Sequence, residues 1–232
     1  MEIIGKGFVG KNLKKINLNK KNNFIIYCAG VSNSKSTSQK KYFREIKRIK
    51  NTIKKMNNKS IFVYISTTSI LDKFHSRDKY VKNKVIIEKI IRKKINRFII
   101  LRFPQIIGRN NNPYIISNFI FNKIKNRRSF ELWSNVKRNF IDIDDVKKIV
   151  KNILNKNSQK NLIINIFNSR SVMMEDLVNI FSRILNIKAN YEIMNYNLNK
   201  SNKKIIVPKN EKKIIFRTEK KYLDKIIRKY YK

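Results

Sequence analysis

The sequence is poor in the residues that build disulfide and metal scaffolds. Its 232 residues include one cysteine, Cys28, and one histidine, His75. A disulfide needs two cysteines and a structural zinc site needs about four cysteine or histidine ligands, so the chain can build neither from its own residues. We therefore expect no bound metal and a reducing, cytoplasmic location. No stretch reaches the about 18 consecutive apolar residues of a transmembrane helix, so no membrane partner is expected.

Acidic residues are also scarce, because 15 aspartates and glutamates face 55 lysines and arginines, for a formal net charge of +40. Such a charge indicates either a polyanionic partner or a drift toward A/T-rich codons. The lysines are spread along the whole chain and form no single arm, which favours codon drift. The hydrophobic fraction of 41% excludes a disordered basic tail. We expect no specific nucleic-acid partner, only weak and salt-sensitive attraction of polyanions.

Glycine occurs five times, and three of the five form the motif Gly5-x-Gly7-x-x-Gly10. The motif follows a predicted strand at Glu2–Ile4 and opens a predicted helix, which is the context in which it binds dinucleotides. Gly5 would allow the tight turn, Gly7 the approach of a pyrophosphate, and Gly10 close packing of helix against strand. The helix N-terminus would offer its N–H groups to the anion. The motif therefore predicts dinucleotide binding.

Short apolar runs alternate with amphipathic stretches along the chain, a pattern typical of βαβ units. The second predicted helix would place four apolar side chains on one face: Phe43, Ile46, Ile49 and Ile53. Beyond the glycine motif we predict strands at 24–28, 61–65, 98–101, 162–166 and 191–194, and helices at about 39–56, 79–94, 114–125, 143–155 and 220–231.

One part of a conventional dinucleotide-binding fold is missing from the sequence. Such a fold carries an acidic residue about twenty positions after the glycine motif, where it binds the adenosine ribose. Residues 11–28 contain no acid and lead directly into the next apolar run. A strand–helix–strand segment is therefore predicted to be absent.

A second group of residues carries acid–base chemistry. Ser66-Thr67-Thr68-Ser69 follows a predicted strand, and Tyr80 and Lys84 share one face of the next helix. A free phenol has a pKa of about 10. The Lys84 ammonium would lower the pKa of Tyr80 and make the phenol useful near neutral pH. A hydroxyl at the strand end would hydrogen-bond the same substrate oxygen.

These features resemble the extended short-chain dehydrogenases/reductases, in particular the NAD-dependent epimerase/dehydratase family that acts on nucleotide sugars. The resemblance extends over Ile4–Leu13, Tyr27–Ser32, Phe62–Ile70, the Tyr80/Lys84 pair, Ile100–Gly108, Arg138–Val146, Asn165–Asn168 and Ser171–Leu177. It implies NAD or NADP as the cofactor and a nucleotide sugar as the substrate. The implied catalytic residues are Thr67, Tyr80 and Lys84; the cofactor contacts are Gly5, Gly7, Phe8, Val9, Gly10, Ala29, Gly30, Lys84 and Pro104; the substrate contacts are Gln105 and Arg138.

The same resemblance implies an α/β fold, a Rossmann-like, mostly parallel sheet flanked by helices. This sheet would lack the usual second and third strands, which makes the glycine-motif strand an edge. Residues 1–232 would form a single NAD(P)-binding domain. A small C-terminal substrate lobe would come mainly from 103–145 and 168–232. The oligomeric state is left open, with a homodimer as one alternative.

The sequence departs from the family pattern at the predicted site. Tyr80 follows Thr67 by thirteen positions, where the family usually has a longer substrate loop. Thr68 and Ser69 replace the acidic pair of sugar dehydratases, which leaves epimerisation or carbonyl reduction. Glu45 stands near a position where the family often has asparagine. The sequence predicts an NAD(P)-dependent oxidoreductase or epimerase; the alternative is a catalytically degenerate Rossmann-fold protein that binds polyanions.

Overall fold

The computed structural model describes residues 1–19, 23–33, 36, 38–134, 136–156, 161–194 and 205–232. The strands in these ranges are β1 (Glu2–Ile4), β2 (Phe24–Tyr27), β3 (Ile61–Thr67), β4 (Phe98–Phe103), β5 (Gln105–Ile107), β6 (Phe130–Trp133), β7 (Lys137–Asp142), β8 (Leu162–Asn168), β9 (Ser171–Met173), β10 (Tyr191–Met194) and β11 (Lys212–Phe216). The helices are α1 (Phe8–Leu13), α2 (Gln39–Lys55), α3 (Lys79–Lys94), α4 (Ile116–Lys125), α5 (Ile143–Lys156), α6 (Met174–Leu185) and α7 (Tyr222–Tyr231), with 3₁₀ helices at Thr68–Leu71 and Lys73–Arg77.

The main sheet has the strand order β1-β2-β3-β4-β8-β11. The four pairs from β1 to β8 are parallel, and helices occupy the connections between them. This confirms the predicted Rossmann-like α/β class. Within the described chain β1 pairs with β2 and stands first in the order, so the predicted edge position of the glycine-motif strand is confirmed.

The central strands are mostly apolar because strands of a parallel sheet are covered on both faces. All six residues of β4 and all four residues of β2 are buried. In a parallel sheet the carboxyl ends of the strands meet at one edge. The segments that follow β1, β2 and β3 therefore lie side by side at this edge, which is where ligands bind in open α/β sheets.

Helix α2 packs Ile46, Ile49 and Ile53 against the core as predicted, but Phe43 departs from the prediction. Ser38 caps its N-terminus, because the side chain accepts a hydrogen bond from the Lys41 N–H. Phe43, which was expected on the buried face, is 77% exposed, whereas the neighbouring Glu45 is only 3% exposed. The prediction was wrong for Phe43 because apolar spacing cannot register a buried carboxylate that has polar partners.

The chain divides into two compact units. Unit 1 comprises Met1–Phe103, Ile143–Ile166 and Ile205–Ile214; unit 2 comprises Pro104–Asp142, Phe167–Lys204 and Ile215–Lys232. Unit 2 contains a sheet of order β5-β7-β9, the pair β10-β6 and its own apolar core. The prediction of a single cofactor-binding domain with a substrate lobe from 103–145 and 168–232 is not decided by this division and stays a prediction.

Long elements were predicted more accurately than short ones. The predicted helix at 79–94 and strand at 191–194 have the observed bounds, while β5, β6, β7, β9 and β11 were not predicted as strands. None of the helices in the described ranges is long and apolar enough to cross a membrane. The cytoplasmic location and the homodimer stay predictions.

Candidate active site

Two glycines of the motif are required by the fold itself. Gly5 has a φ of +134°, and a Cβ atom there would lie 2.7 Å from the carbonyl carbon of Cys28. A Cβ atom at Gly10 would overlap the carbonyl oxygen of Gly5. Side chains are thus excluded where the loop after β1 meets the end of β2 and the start of α1. Phe8 and Val9, the first residues of α1, are half-buried.

Gly7 differs from its two neighbours in the motif. A Cβ atom at Gly7 would have no protein atom within 4 Å, and its φ of −76° is available to any residue. The fold therefore does not require glycine at this position. A backbone that is open to close approach fits the role of a dinucleotide-binding loop, in which this glycine faces the pyrophosphate. The motif residues fit the cofactor that the sequence predicts.

The segment after β2 connects the glycine loop to the predicted catalytic lysine. Ala29 lies beside Gly5, since a Cβ atom on Gly5 would be 2.9 Å from the Ala29 nitrogen. A Cβ atom on Gly30 would lie 2.5 Å from the Lys84 Nζ and 2.9 Å from a Glu45 carboxylate oxygen. Gly30 is therefore packed directly against these two charged side chains.

Lys84 is buried at the start of α3, with 4% of its surface exposed. Its Nζ donates to Glu45 Oε1 at 3.2 Å and to the Tyr64 hydroxyl at 3.0 Å. Burial works against the charged form, but Tyr64, Glu45 and Tyr80 outweigh it, so the pKa of Lys84 is raised well above its usual range. The side chain is held as an ammonium ion.

Tyr80 lies beside this ammonium ion, with Lys84 Nζ 5.7 Å from the centre of its ring. Its hydroxyl makes no hydrogen bond to the residues that the structure describes. Burial raises the pKa of Tyr80, Lys84 lowers it and Glu45 raises it, and the net direction is upward. Lys84 does lower the pKa of this phenol, as the sequence predicts, but burial and Glu45 exceed its effect, so the expected net decrease is not found.

Glu45 lies in the candidate site with contacts that the sequence did not predict. Its carboxylate accepts four hydrogen bonds, from Lys84, the Tyr64 hydroxyl, Asn83 Nδ2 and the Val31 N–H. The available signal was its position, near where the resembling family often carries asparagine. No pattern of spacing indicates that this one acid on α2 faces inward.

Thr67 is the last residue of β3, and its side chain forms hydrogen bonds with Ser69. Its Oγ1 accepts a hydrogen bond from the Ser69 N–H at 3.2 Å and donates to the Ser69 hydroxyl at 3.1 Å. Ser66 is buried and donates to Glu88 at 2.6 Å, so its hydroxyl already has a partner. Thr67 is half-buried and stays the strand-end hydroxyl proposed for the substrate.

The predicted substrate contacts lie in unit 2. Gln105 begins β5 and is in register with Phe140 of β7, and Arg138 lies two residues before Phe140 on the same strand. Both side chains are half-buried, as is Pro104 just before β5. The structure thus places Gln105 and Arg138 on one three-stranded sheet, and their substrate role stays a prediction.

Comparison with known families assigns the chain. The family model of NAD dependent epimerase/dehydratase proteins matches residues 11–166, about two thirds of the sequence. The chain belongs to the NAD dependent epimerase/dehydratase family. The match begins directly after Gly10 and includes β2, β3, β4 and β8 with the Tyr80–Lys84 pair. No curated protein sequence matches the chain.

Solved structures share the epimerase/dehydratase fold with this chain. The dTDP-4-dehydrorhamnose reductase from Bacillus anthracis, in complex with NADP, has a TM-score of 0.68 at 16% identity and covers 100% of this chain and 99% of that chain. The UDP-glucose 4-epimerase from Thermus thermophilus, in complex with NAD, has a TM-score of 0.69 at 10% identity over 90% of this chain and 91% of that chain. RMD from Pseudomonas aeruginosa, complexed with NADPH, has a TM-score of 0.64 at 12% identity and covers 97% of this chain and 91% of that chain.

Among the residues that the structure describes, no three histidine, cysteine, aspartate or glutamate side chains are grouped so that they could hold a metal ion. The groups that the structure brings together at the edge of the main sheet are a phenol, an ammonium ion, a carboxylate and hydroxyl groups. These groups transfer protons and hold oxygen atoms in place.

Proposed function

We propose that this member of the epimerase/dehydratase family is an NAD(P)-dependent oxidoreductase or epimerase that acts on a nucleotide-activated sugar. The observation that carries the proposal is that packing contacts connect the glycine loop to the acid–base pair Tyr80 and Lys84. Gly5 packs on Cys28 and Ala29, and the next residue, Gly30, packs on Lys84. The neighbours named as a dTDP-4-dehydrorhamnose reductase and a UDP-glucose 4-epimerase support this substrate class.

The loop after β1 and the start of α3 would hold the cofactor, NAD or NADP. The bound dinucleotide supplies the hydride chemistry. The open backbone at Gly7 would face its pyrophosphate, and Lys84 would face its ribose. The full set of proposed contacts is Gly5, Gly7, Phe8, Val9, Gly10, Ala29, Gly30, Lys84 and Pro104.

The chain's own residues would bind the sugar and move a proton. The Tyr80 hydroxyl would exchange a proton with the reacting sugar oxygen, and the Thr67 hydroxyl would hydrogen-bond the same oxygen. Arg138 would bind the diphosphate, since its planar fork suits bidentate contacts with phosphate, and Gln105 would add a neutral contact.

The alternative, a degenerate protein that binds polyanions, is not favoured. The family match and the enzyme neighbours support catalysis, and the chain keeps a buried lysine beside Tyr80 at the edge of the sheet.

Tyr80→Phe tests the proposed chemistry, because it removes only the hydroxyl. Single-turnover hydride transfer, measured with NADH and NADPH and a panel of nucleotide ketosugars, should fall by roughly two to four orders of magnitude. Tyr191→Phe, on β10 of unit 2, is the matched control and should keep the wild-type rate. If Tyr80→Phe keeps it too, the acid–base assignment of Tyr80 is wrong. If the wild type itself transfers no hydride, the polyanion-binding alternative takes its place.

Arg138→Lys tests the proposed substrate contact. It keeps the positive charge but loses the bidentate geometry, so binding of a nucleotide sugar should weaken at least about tenfold. Binding of NADH and NADPH, followed by their fluorescence, should not change. An equal loss of both affinities would indicate a structural role for Arg138.

A further inference from the structure

Glu45 joins three elements of unit 1 through one buried carboxylate. It lies on α2, and its Oε1 accepts from Lys84 of α3 at 3.2 Å and from the Tyr64 hydroxyl of β3 at 3.4 Å. Its Oε2 accepts from Asn83 Nδ2 at 3.1 Å and from the Val31 N–H at 2.9 Å. All four partners are donors, which is the pattern of an ionised carboxylate, because a protonated one would have to donate.

The carboxylate balances the charge of Lys84. The two groups are almost fully buried and in direct contact, and Gly30 packs against both. A buried lysine without a counter-ion would act on a neighbouring phenol as a full positive charge and favour the phenolate. Here the paired charges act on Tyr80 with opposite signs, so the phenolate receives little net stabilisation.

Resting on the proposed function, we propose that Glu45 is a positioning residue that holds and neutralises Lys84. Together with the burial of the phenol, this keeps Tyr80 as a proton donor, and the substrate class is a nucleotide sugar that carries a ketone. In the reaction the ketone carbon takes up the hydride and its oxygen takes the Tyr80 proton. The hydride would come from the reduced dinucleotide, which loses a C–H bond and is oxidised. The carbonyl π bond and the Tyr80 O–H bond break, a C–H and an O–H bond form on the sugar, which is reduced, and solvent returns a proton to the phenolate.

The resting state of the phenol separates ketone reduction from epimerisation. Ketone reduction begins with a neutral phenol, whereas epimerisation begins by taking a proton from a sugar alcohol and needs the phenolate. Burial and Glu45 raise the pKa of Tyr80 against the opposing effect of Lys84. A phenol whose pKa is raised stays neutral near pH 7. Tyr80 is therefore in the neutral form that ketone reduction needs. Little of the phenolate that begins epimerisation is present.

The groups that face Tyr80 come from three elements. Lys84 lies on its own helix, Glu45 and Tyr42 lie on α2, and Tyr64 lies on β3. The phenols of Tyr42 and Tyr64 are neutral near pH 7, because burial raises the pKa of each. Of these groups, Glu45 is therefore the source of negative charge near Tyr80 at neutral pH.

The direct test follows the ionisation of Tyr80 by NMR of ¹³Cζ-labelled tyrosine in the full chain without cofactor. The Tyr80→Phe spectrum assigns the resonance among the ten tyrosines. In the wild type the resonance should titrate above pH 10. In Glu45→Gln the titration should move down by about one pH unit, because the opposing charge is gone. Tyr64→Phe, which removes hydrogen bonds but no charge, is the matched control and should move it by less than about half a unit.

A second substitution at the same position keeps the test valid if Glu45→Gln does not fold. Glu45→Asn places at this position the residue that the family often has, and it should lower the titration of Tyr80 in the same direction as Glu45→Gln. A wild-type titration below pH 9, or no shift in a folded Glu45 variant, overturns the inference even if the protein reduces ketosugars.

The kinetic arm tests the substrate class separately. Wild-type reduction of nucleotide ketosugars should be constant from pH 7 to pH 9, and its alkaline limb should move down by about one unit in Glu45→Gln. Wild-type epimerisation of nucleotide sugars at pH 7 should be at least about a hundredfold slower than reduction. If the NMR shift is found but no ketosugar is reduced, the proposed function fails while the role of Glu45 on Tyr80 stands. Fast epimerisation at pH 7 would overturn the substrate class.

Discussion

Gly7 and Gly10 belong to one motif but meet different surroundings. The space beside Gly10 is filled by the backbone of Gly5, while the space beside Gly7 contains no protein atom within 4 Å. A sequence motif cannot separate glycines that the fold needs from glycines that a ligand needs. The structure makes this separation, and the open backbone at Gly7 fits the ligand-facing role that the sequence predicts for it.

Serine substitutions at these two positions should have opposite consequences. Gly10→Ser should lower the free energy of unfolding by about 1–3 kcal/mol, because the added atoms overlap the Gly5 carbonyl. Gly7→Ser should stay within about 0.5 kcal/mol of the wild type, since serine is favoured at a helix N-cap. It should nevertheless weaken NADH and NADPH binding at least about tenfold. Urea unfolding and cofactor fluorescence measure the two effects, and unchanged cofactor affinity in Gly7→Ser would contradict the assigned role.

At the scale of elements, a buried charged network joins β4 to its neighbours in unit 1. The Arg102 guanidinium donates to both oxygens of Glu88 on α3, at 3.0 and 2.6 Å, and to Glu211 at 2.7 Å. It also reaches Asn165 of β8. Burial disfavours the charge, but Glu88 and Glu211 outweigh it and raise the pKa of Arg102. Glu88 also accepts from Ser66, so the network fixes the strand end that carries Thr67.

Replacing Arg102, the central cation of this network, should lower the free energy of unfolding more than replacing a surface cation does. Arg102→Met leaves two buried carboxylates without their partner and should cost about 3–5 kcal/mol at pH 7. Lys148→Met, which breaks an exposed pair with Asp145, should cost less than about 1 kcal/mol. The deficit of Arg102→Met should shrink toward pH 5, because protonation of the carboxylates removes the buried charge. Urea unfolding at both pH values checks this, and a deficit that grows on acidification would refute it.

At the scale of the whole molecule, the net charge of +40 creates a positive potential that no single site explains. The proposed reaction uses one of these cations, Lys84, and the proposed substrate contact uses Arg138. The remaining positive charge should act on polyanions by the release of their counterions, a process without sequence preference.

Binding of labelled single-stranded DNA should therefore be weak and electrostatic. We expect binding at 50 mM NaCl, its loss near 0.5 M, and equal affinity for unrelated sequences, all measured by fluorescence anisotropy. Tyr80→Phe should bind in the same way as the wild type. A sequence preference that persists at 0.5 M salt would favour a nucleic-acid function over the codon-drift interpretation.

The sequence by itself determined the class of fold, the family and the position of the glycine loop. Apolar runs such as Phe98–Leu101 and long amphipathic stretches such as Lys79–Lys94 carry a strong local signal, since their side chains repeat the same period. Clusters such as Gly5-x-Gly7-x-x-Gly10 stand out because glycine is otherwise rare in the chain. Short strands such as β5 and β9 were missed, because three residues show no period and their pairing partners lie far along the chain.

Only the tertiary structure decided the electrostatics of the site. Spacing along α2 predicted Phe43 in the core, and the structure instead buries Glu45 against Lys84, Tyr64, Asn83 and Val31. A buried carboxylate is stable only where donors from other elements converge on it, and that convergence is a property of the packed sheet and helices. The charge balance at Tyr80 depends on the same convergence, so it could not be derived from the order of residues along the chain.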